Sequence, residues 1–378
     1  MAPSPRSAAA RQLLTALTST SRTSIDWNKA IAILGTSWLD AQRLASLTWW
    51  TCQSVEFSDN IQRELRRAYY AAAGDAELHR RELAHVLHQL NSRQIQTVVF
   101  KGAALAYGVY RDPACRTMGD IDLWVAGEDI ERARRALGEL GYESFRRPDR
   151  PSALMELFQG EIGLQHNYSA YGLVELHWGV FAGVWLRRTA TIDAAAMRRR
   201  AVPTRLAGEA AYILAPEDAL LQSALHTTVN HQVSMSALRA LVDVAMLARH
   251  YSIDWTIIVQ RARAWRVVAA VWLVLSLAVD LAGLEEAAEA ARQLQPSALR
   301  RRLIGRFANA ESLVALRDLR VSKWRYVFLL LLVDRVRDTA KLIFRAVWPE
   351  REWLTARYGR YTLVMRLHHL LGAARGRI

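Results

Sequence analysis

The clearest alternation in the chain lies at Gly119-Asp120-Ile121-Asp122-Leu123-Trp124-Val125, where carboxylates and apolar residues take turns. A period of two is the mark of a strand with one buried face. Ile121, Leu123 and Val125 then face a core, and Asp120 and Asp122 share the solvent side. Gln96 to Phe100 is a second apolar run. It ends at Lys101-Gly102 and leads into helix-forming residues Ala103 to Val109. Gly160 to Tyr168 and Leu173 to Val180 read as two more strands, joined by a turn at Ser169 to Gly172. In the later strand Val174, Leu176 and Trp178 share one face, and Glu175 and His177 share the other.

On either side the period changes to three or four. Leu78, Leu83, Val86, Leu87 and Leu90 mark a helix from Asp75 to Leu90, separated by Gly74 from one at Glu64 to Tyr70. Ser24 or Asp26 caps an earlier helix. Glu128 to Leu140 is amphipathic and closes at Gly141. Pro216 opens a helix, and helical patterns follow around His226 and over Leu238 to His250, Ile257 to Ala282, Glu285 to Leu294 and Ser297 to Ala308. The expected class is α+β, a mainly helical chain around a small mixed sheet. The expected division is a helical region over 1–94, an α/β core over 95–204 and a helical region over 205–378.

Composition narrows the function classes. With 52% hydrophobic and 23% charged residues among 378, the chain is globular and not disordered. Two cysteines exclude a disulfide framework and a cysteine metal site. Together with Met1 to Arg11, which lacks the apolar core of a secretory signal, they lead us to expect a cytoplasmic protein. Val267 to Val279 ends at Asp280, short of the roughly 20 residues a membrane span needs. Residues 320–378 hold thirteen Lys/Arg against four Asp/Glu, most of the chain's net +14. No nucleic-acid motif accompanies that charge, which argues against nucleic acid as partner. Peripheral contact with an anionic membrane stays open, and a solvated Arg-rich surface is the favoured reading of the tail.

Asp-x-Asp alone is more often a solvated pair on an edge strand than a site. Two carboxylates on one face also suit a divalent cation, which removes their repulsion. On this reasoning, Asn at either position relieves the fold and removes the chemistry. A strand–Gly–helix corner at Gly102 aims free backbone N–H groups at anions. Lys101, on an apolar run, needs an anionic partner such as Asp120, and Lys101 and Arg116 are candidates to pair with phosphates. His177 is either a site residue or a satisfied half-buried histidine. His226 and His231, five apart, do not share a helical face, which speaks against a zinc site.

Phe100-Lys101-Gly102-Ala103-Ala104-Leu105, Arg116-Thr117-Met118-Gly119-Asp120-Ile121-Asp122-Leu123 and Val174-Glu175-Leu176-His177-Trp178, in that order, resemble the uncharacterised nucleotidyltransferase family of the DNA polymerase β-like superfamily. Ala215-Pro216-Glu217-Asp218, Leu241-Val242-Asp243 and Ile253-Asp254-Trp255 extend the resemblance over most of the chain. It implies a polymerase β-like core and transfer of a nucleoside monophosphate from an NTP with Mg²⁺, two ions, as cofactor. The acceptor would be a small molecule, sugar or peptide, as in polysaccharide or natural-product biosynthesis. Asp120, Asp122 and Glu175 would be the catalytic metal ligands. Lys101, Gly102, Ala103, Arg116 and Gly119 would contact the nucleotide, and His177 and His226 the acceptor. Ala103 stands where the superfamily has a second Gly or Ser, and the Tyr110 to Arg116 loop lengthens the gap to Asp120. The rival readings are a non-catalytic nucleotide-binding module of the same fold and a basic nucleic-acid or membrane-surface binder.

Overall fold

Seven strands form one mixed sheet: β1 (Val98–Phe100), β2 (Ile121–Trp124), β3 (Tyr142–Ser144), β4 (Glu161–His166), β5 (Leu173–His177), β6 (Val202–Leu206) and β7 (Glu209–Ile213). Their spatial order is β3-β4-β5-β2-β1-β7-β6. This computed structural model describes residues 3–19, 25–145, 152–154, 156–157, 160–166, 172–181, 183–234, 236–316, 318–322 and 324–374. The α+β class expected from the periodicities is the class observed. β2 runs antiparallel to β1 and parallel to β5, so Phe100 and Glu175 both pair with Asp122. β4 and β5 are antiparallel, as expected. Of the turn between them, only Gly172 lies within the described residues.

Alternation sorts the side chains as the pattern requires. Val99, Ile121, Leu123, Val174 and Leu176 pack against Leu83, Val86, Leu87 and Leu90 of the helix Asp59–Ser92 and against the helix Ile130–Glu139. The other face is not open to solvent, which corrects the expectation of a one-sided sheet. All four residues of β2 are buried, and Val98, Phe100 and Trp124 join a second core with the C-terminal helices. A sheet with parallel pairs is normally covered on both faces. The two helical flanks share that core. Thr18 Oγ1 donates to Ala282 O at 2.9 Å, and Trp38 Nε1 donates to Val314 O at 2.8 Å.

Three elements differ from the sequence expectation. Gly74 does not divide two helices. The helix Asp59–Ser92 runs through it for 34 residues, because a helical Gly costs only about 1 kcal/mol against Ala. The Ile257 to Ala282 helix is broken into Trp255–Ala264 and Val268–Ala282. Arg266 turns left-handed at φ +60, and the Asp334 carboxylate accepts from Val268 N and Ala269 N at 2.7 and 3.1 Å. The hairpin β6–β7 lies where helix was expected to begin, and β7 extends the sheet beside β1. Asp26 caps its helix through Lys29 N, and Ser24 lies outside the described residues. Among the described residues, no helix is long and apolar enough to cross a membrane.

Candidate active site

The candidate side chains meet where β1, β2 and β5 lie side by side. Glu175 stands next to Asp122 in parallel register, and His177 follows two residues later on the same face. Asp122 is buried and takes two partners at one oxygen. Lys101 Nζ donates to Oδ1 at 2.6 Å, and His177 Nε2 lies 2.9 Å from the same atom. Glu175 Oε2 is 3.8 Å from Lys101 Nζ and 3.7 Å from His177 Nε2. Glu161, across from His177 on β4, puts Oε2 3.4 Å from Nδ1. Asp120 precedes β2, half-buried, and makes no hydrogen bond or ion pair among the described residues.

The backbone reaches this arrangement through a strained corner. Lys101, not Gly102, adopts the left-handed conformation, with φ +52. A lysine pays about 1 kcal/mol or more for such a φ, and strain of this kind collects at functional sites. Gly102 has a different task. A Cβ there would lie 3.2 Å from Met118 Cβ, so glycine lets the corner close against the loop before β2. Gly119 has open space around it. Ala103 is fully buried on the sheet side of its helix, and its side chain does not line the cavity.

Burial and charge act against each other here. Burial alone would raise the Asp122 carboxyl, but Lys101 and the His177 hydrogen bond outweigh it and hold it well below its ordinary range. Burial would likewise lower the Lys101 ammonium, but Asp122 and Glu175 hold it above its usual value. Glu175 gains less from the same ammonium, which lies 3.8 Å from its Oε2. Burial and then the charge of Asp122 push its carboxyl up to about 8. Burial and Asp122 also raise Asp120. Ionising all three carboxyls would place more negative charge here than one ammonium neutralises.

A cavity of about 660 Å³ opens over these residues, lined by Lys101, Gly102, Gly119, Asp120, Asp122 and Glu175 on the sheet side. This volume lies within the range of small-molecule sites. The opposite wall comes from the C-terminal helices and holds His226, His231, Arg239 and Asp243, with Arg43 and Arg320 at its margin. Sequence spacing misjudged the two histidines. Residues His226–Asn230 form a π turn, and His231 N donates to His226 O at 2.9 Å. A turn of i→i+5 bonds brings residues five apart together, so the two Nε2 atoms lie 2.8 Å apart. Burial, with Lys101 next in effect, keeps His226 well below its usual value. Burial and Arg320 push His231 down to about 4. Both rings are thus neutral near pH 7, one donating to the other.

Arg116 is not a free cation for phosphate. It is buried, and its Nε donates to both oxygens of Asp243 at 2.8 and 3.0 Å. Tyr110 donates to the same carboxylate at 2.8 Å. Arg239, which sequence reasoning missed, has no carboxylate partner among the described residues. Its Nη1 donates to Thr117 O at 2.8 Å, and its buried Nε has no partner there. Burial and then the nearby Arg116 push it down to about 9. His177 also moves from its expected place. It is 1% exposed, behind Asp122 and edge-on to Phe100 at 5.0 Å, and does not line the cavity.

Among the described residues one cluster has the donors for a metal ion: Asp122, Glu175 and His177, one ligand atom from each within 4.8 Å of the others. Hard carboxylate oxygens with an imidazole nitrogen suit a divalent cation. A cation there would relieve the repulsion that keeps Glu175 protonated, and the Lys101 ammonium already sits among these oxygens as a positive charge.

No curated protein matches the chain. Among solved structures, it is similar to an antigenic nucleotidyltransferase-like protein from Paracoccidioides brasiliensis, at 13% identity and a TM-score of 0.34 over 57% of this chain and 92% of that one. The family model described as uncharacterised nucleotidyltransferase matches residues 23–283, which hold every strand and every candidate site residue. The chain therefore belongs to the uncharacterised nucleotidyltransferase family.

Proposed function

We propose that the chain transfers a nucleoside monophosphate from an NTP to a hydroxyl or phosphate of a small-molecule, sugar or peptide acceptor, in polysaccharide or natural-product biosynthesis. The observation that carries this reading is the shared register of Asp122 and Glu175, with Asp120 lining the same 660 Å³ cavity. Asp120, Asp122 and Glu175 would hold Mg²⁺, with His177 orienting Asp122 from behind. When bound, Mg²⁺ neutralises charge on the attacking and leaving oxygens of the α-phosphoryl group.

The chain's own groups do the rest. The acceptor oxygen attacks the α-phosphorus, the bond to the β-phosphate bridging oxygen breaks, and pyrophosphate leaves. For a hydroxyl acceptor, the proton needs a base beside the attacking oxygen. Glu175 is the candidate, as third ligand or as base: a bound cation would favour its ionised form and so free it of the proton that burial and Asp122 favour in the metal-free protein. Arg239 and Arg43 line the same cavity as the carboxylates. They would take the phosphate charge that the acidic wall repels. Arg116, held by Asp243, positions the loop before β2 instead of binding substrate. His226, neutral and lining the cavity with its Nε2 held by His231, would meet the acceptor.

The test is incubation with each labelled NTP and Mg²⁺ against extracts and sugar or peptide acceptors, following label transfer and pyrophosphate. Asp120→Asn should lower transfer by on the order of a thousandfold without loss of fold, since Asp120 has no partner to lose. An NTP that raises the melting temperature while no acceptor ever takes label would instead establish the non-catalytic binding module.

A further inference from the structure

The exposed apolar residues are not scattered. Of the eighteen large hydrophobic side chains exposed among the described residues, twelve fall between Trp324 and Leu371. In the helix Val336–Val347, Val336, Ile343, Phe344 and Val347 are 87%, 49%, 56% and 49% exposed. Their spacing of seven, eight and eleven from the first puts them on one stripe. The acidic residue of the same helix, Asp338, is buried. The helix is therefore inverted, with its apolar stripe outward and its carboxylate inward. The helix Leu363–Ala374 repeats the pattern: Leu363, Val364, Leu367 and Leu371 are 57% to 70% exposed. The two helices touch, since His369 Nε2 lies 3.2 Å from Ala346 O and the Arg366 guanidinium lies 4.3 Å from the centre of the Trp348 ring.

A solvated Arg-rich surface would not look like this. Contiguous exposed apolar stripes mark a surface that something covers. We propose that the C-terminal helices dock on an anionic lipid bilayer, lying in its interface. Charge complementarity selects that occupant. Residues 320–378 carry net +9, from thirteen Lys/Arg and four Asp/Glu, and basic clusters bind anionic leaflets. A second copy of the chain would bring the same positive charge against it, and a nucleic acid would leave the apolar stripes uncovered. Length agrees. Each helix has 12 residues, about 18 Å, too short to span the bilayer and suited to lying along it. Arginines flank aromatic rings here, with Arg345 over Phe344 at 5.5 Å and Arg357 over Trp353 at 5.5 Å. Amphipathic rings and cations are the side chains that sit at headgroup depth. The inference stands on surface residues alone and is independent of the transfer reaction.

The experiment is flotation of the full chain with vesicles of phosphatidylcholine alone and of phosphatidylcholine with phosphatidylglycerol at 30 mol%. Binding should be at least tenfold stronger to the anionic vesicles and should fall steeply with salt. Ile343→Glu/Phe344→Glu should lower it more than tenfold at an unchanged melting temperature, because both side chains already face solvent. Arg337→Glu/Lys341→Glu should remove the preference for anionic lipid. Equal binding to both vesicles would overturn the proposal, as would full binding by the Ile343→Glu/Phe344→Glu variant. So would a wild-type dimer that this variant dissociates, or RNA binding without vesicle binding.

Discussion

Among the described residues Lys101 is the one ammonium inside the carboxylate cluster, so replacing it tests whether the cluster is built for a cation. In Lys101→Met the side chain keeps most of its bulk and loses only its charge. At an effective dielectric near 20, the Lys101 and Asp122 charges 2.6 Å apart attract by about 6 kcal/mol, and Glu175, protonated up to about 8, adds little near neutral pH. Much of this is cancelled by the cost of taking an ammonium out of water. Losing one partner of a buried pair then costs about 3–5 kcal/mol, and we take about 3, because Asp122 keeps His177. Unfolding entropy of roughly 2.1 cal/mol/K per residue gives about 0.8 kcal/mol/K for 378 residues. The variant should therefore melt about 4 °C below wild type in EDTA. Excess MgCl₂ or MnCl₂ should raise both proteins, and the variant more, since a bound cation restores the missing positive charge to the native state only. Circular dichroism melts of the two proteins, with and without metal, give all four temperatures. A variant that melts with wild type in EDTA would refute the counter-ion role. Equal metal shifts in the two proteins would refute entry of a cation at this cluster.

Three further outcomes follow from the same geometry. Glu175 is protonated in the fold up to about 8 and ionised in the unfolded chain from about 4.5, so the unfolded chain binds fewer protons between those values. Metal-free stability from this group is present below about 4.5 and lost as pH rises through about 8. Urea midpoints in EDTA should fall over that window in wild type and stay flatter in Glu175→Gln. Asp122→Asn, unlike Asp120→Asn, should destabilise as well as inactivate, by about 3 kcal/mol in urea unfolding, because it strips a buried ammonium of its partner. Truncation after Arg320 should abolish cooperative unfolding, since Phe328 is fully buried and Asp334 caps the helix Val268–Ala282. A soluble truncation with a sharp melt would contradict this.

What the sequence determined is what depends on neighbours along the chain. Alternation at Ile121 to Trp124 and at Leu173 to His177 made both strands legible, and the order of the carboxylates pointed to their pairing. Tertiary structure decided the rest, because it depends on groups that no local period reveals. The pattern at Asp120 and Asp122 reads as a solvent face. Only packing of the C-terminal helices turned that face into a cavity. The Arg116–Asp243 pair joins residues 127 apart, so it could not be read as a lock on Arg116. The π turn at His226–Asn230 defeats helical spacing, since its bonds skip one residue further than an α-helix allows. The tail's charge was visible in composition. The outward turn of its apolar stripes was not, because a helical period shows that a stripe exists and leaves open which way it faces.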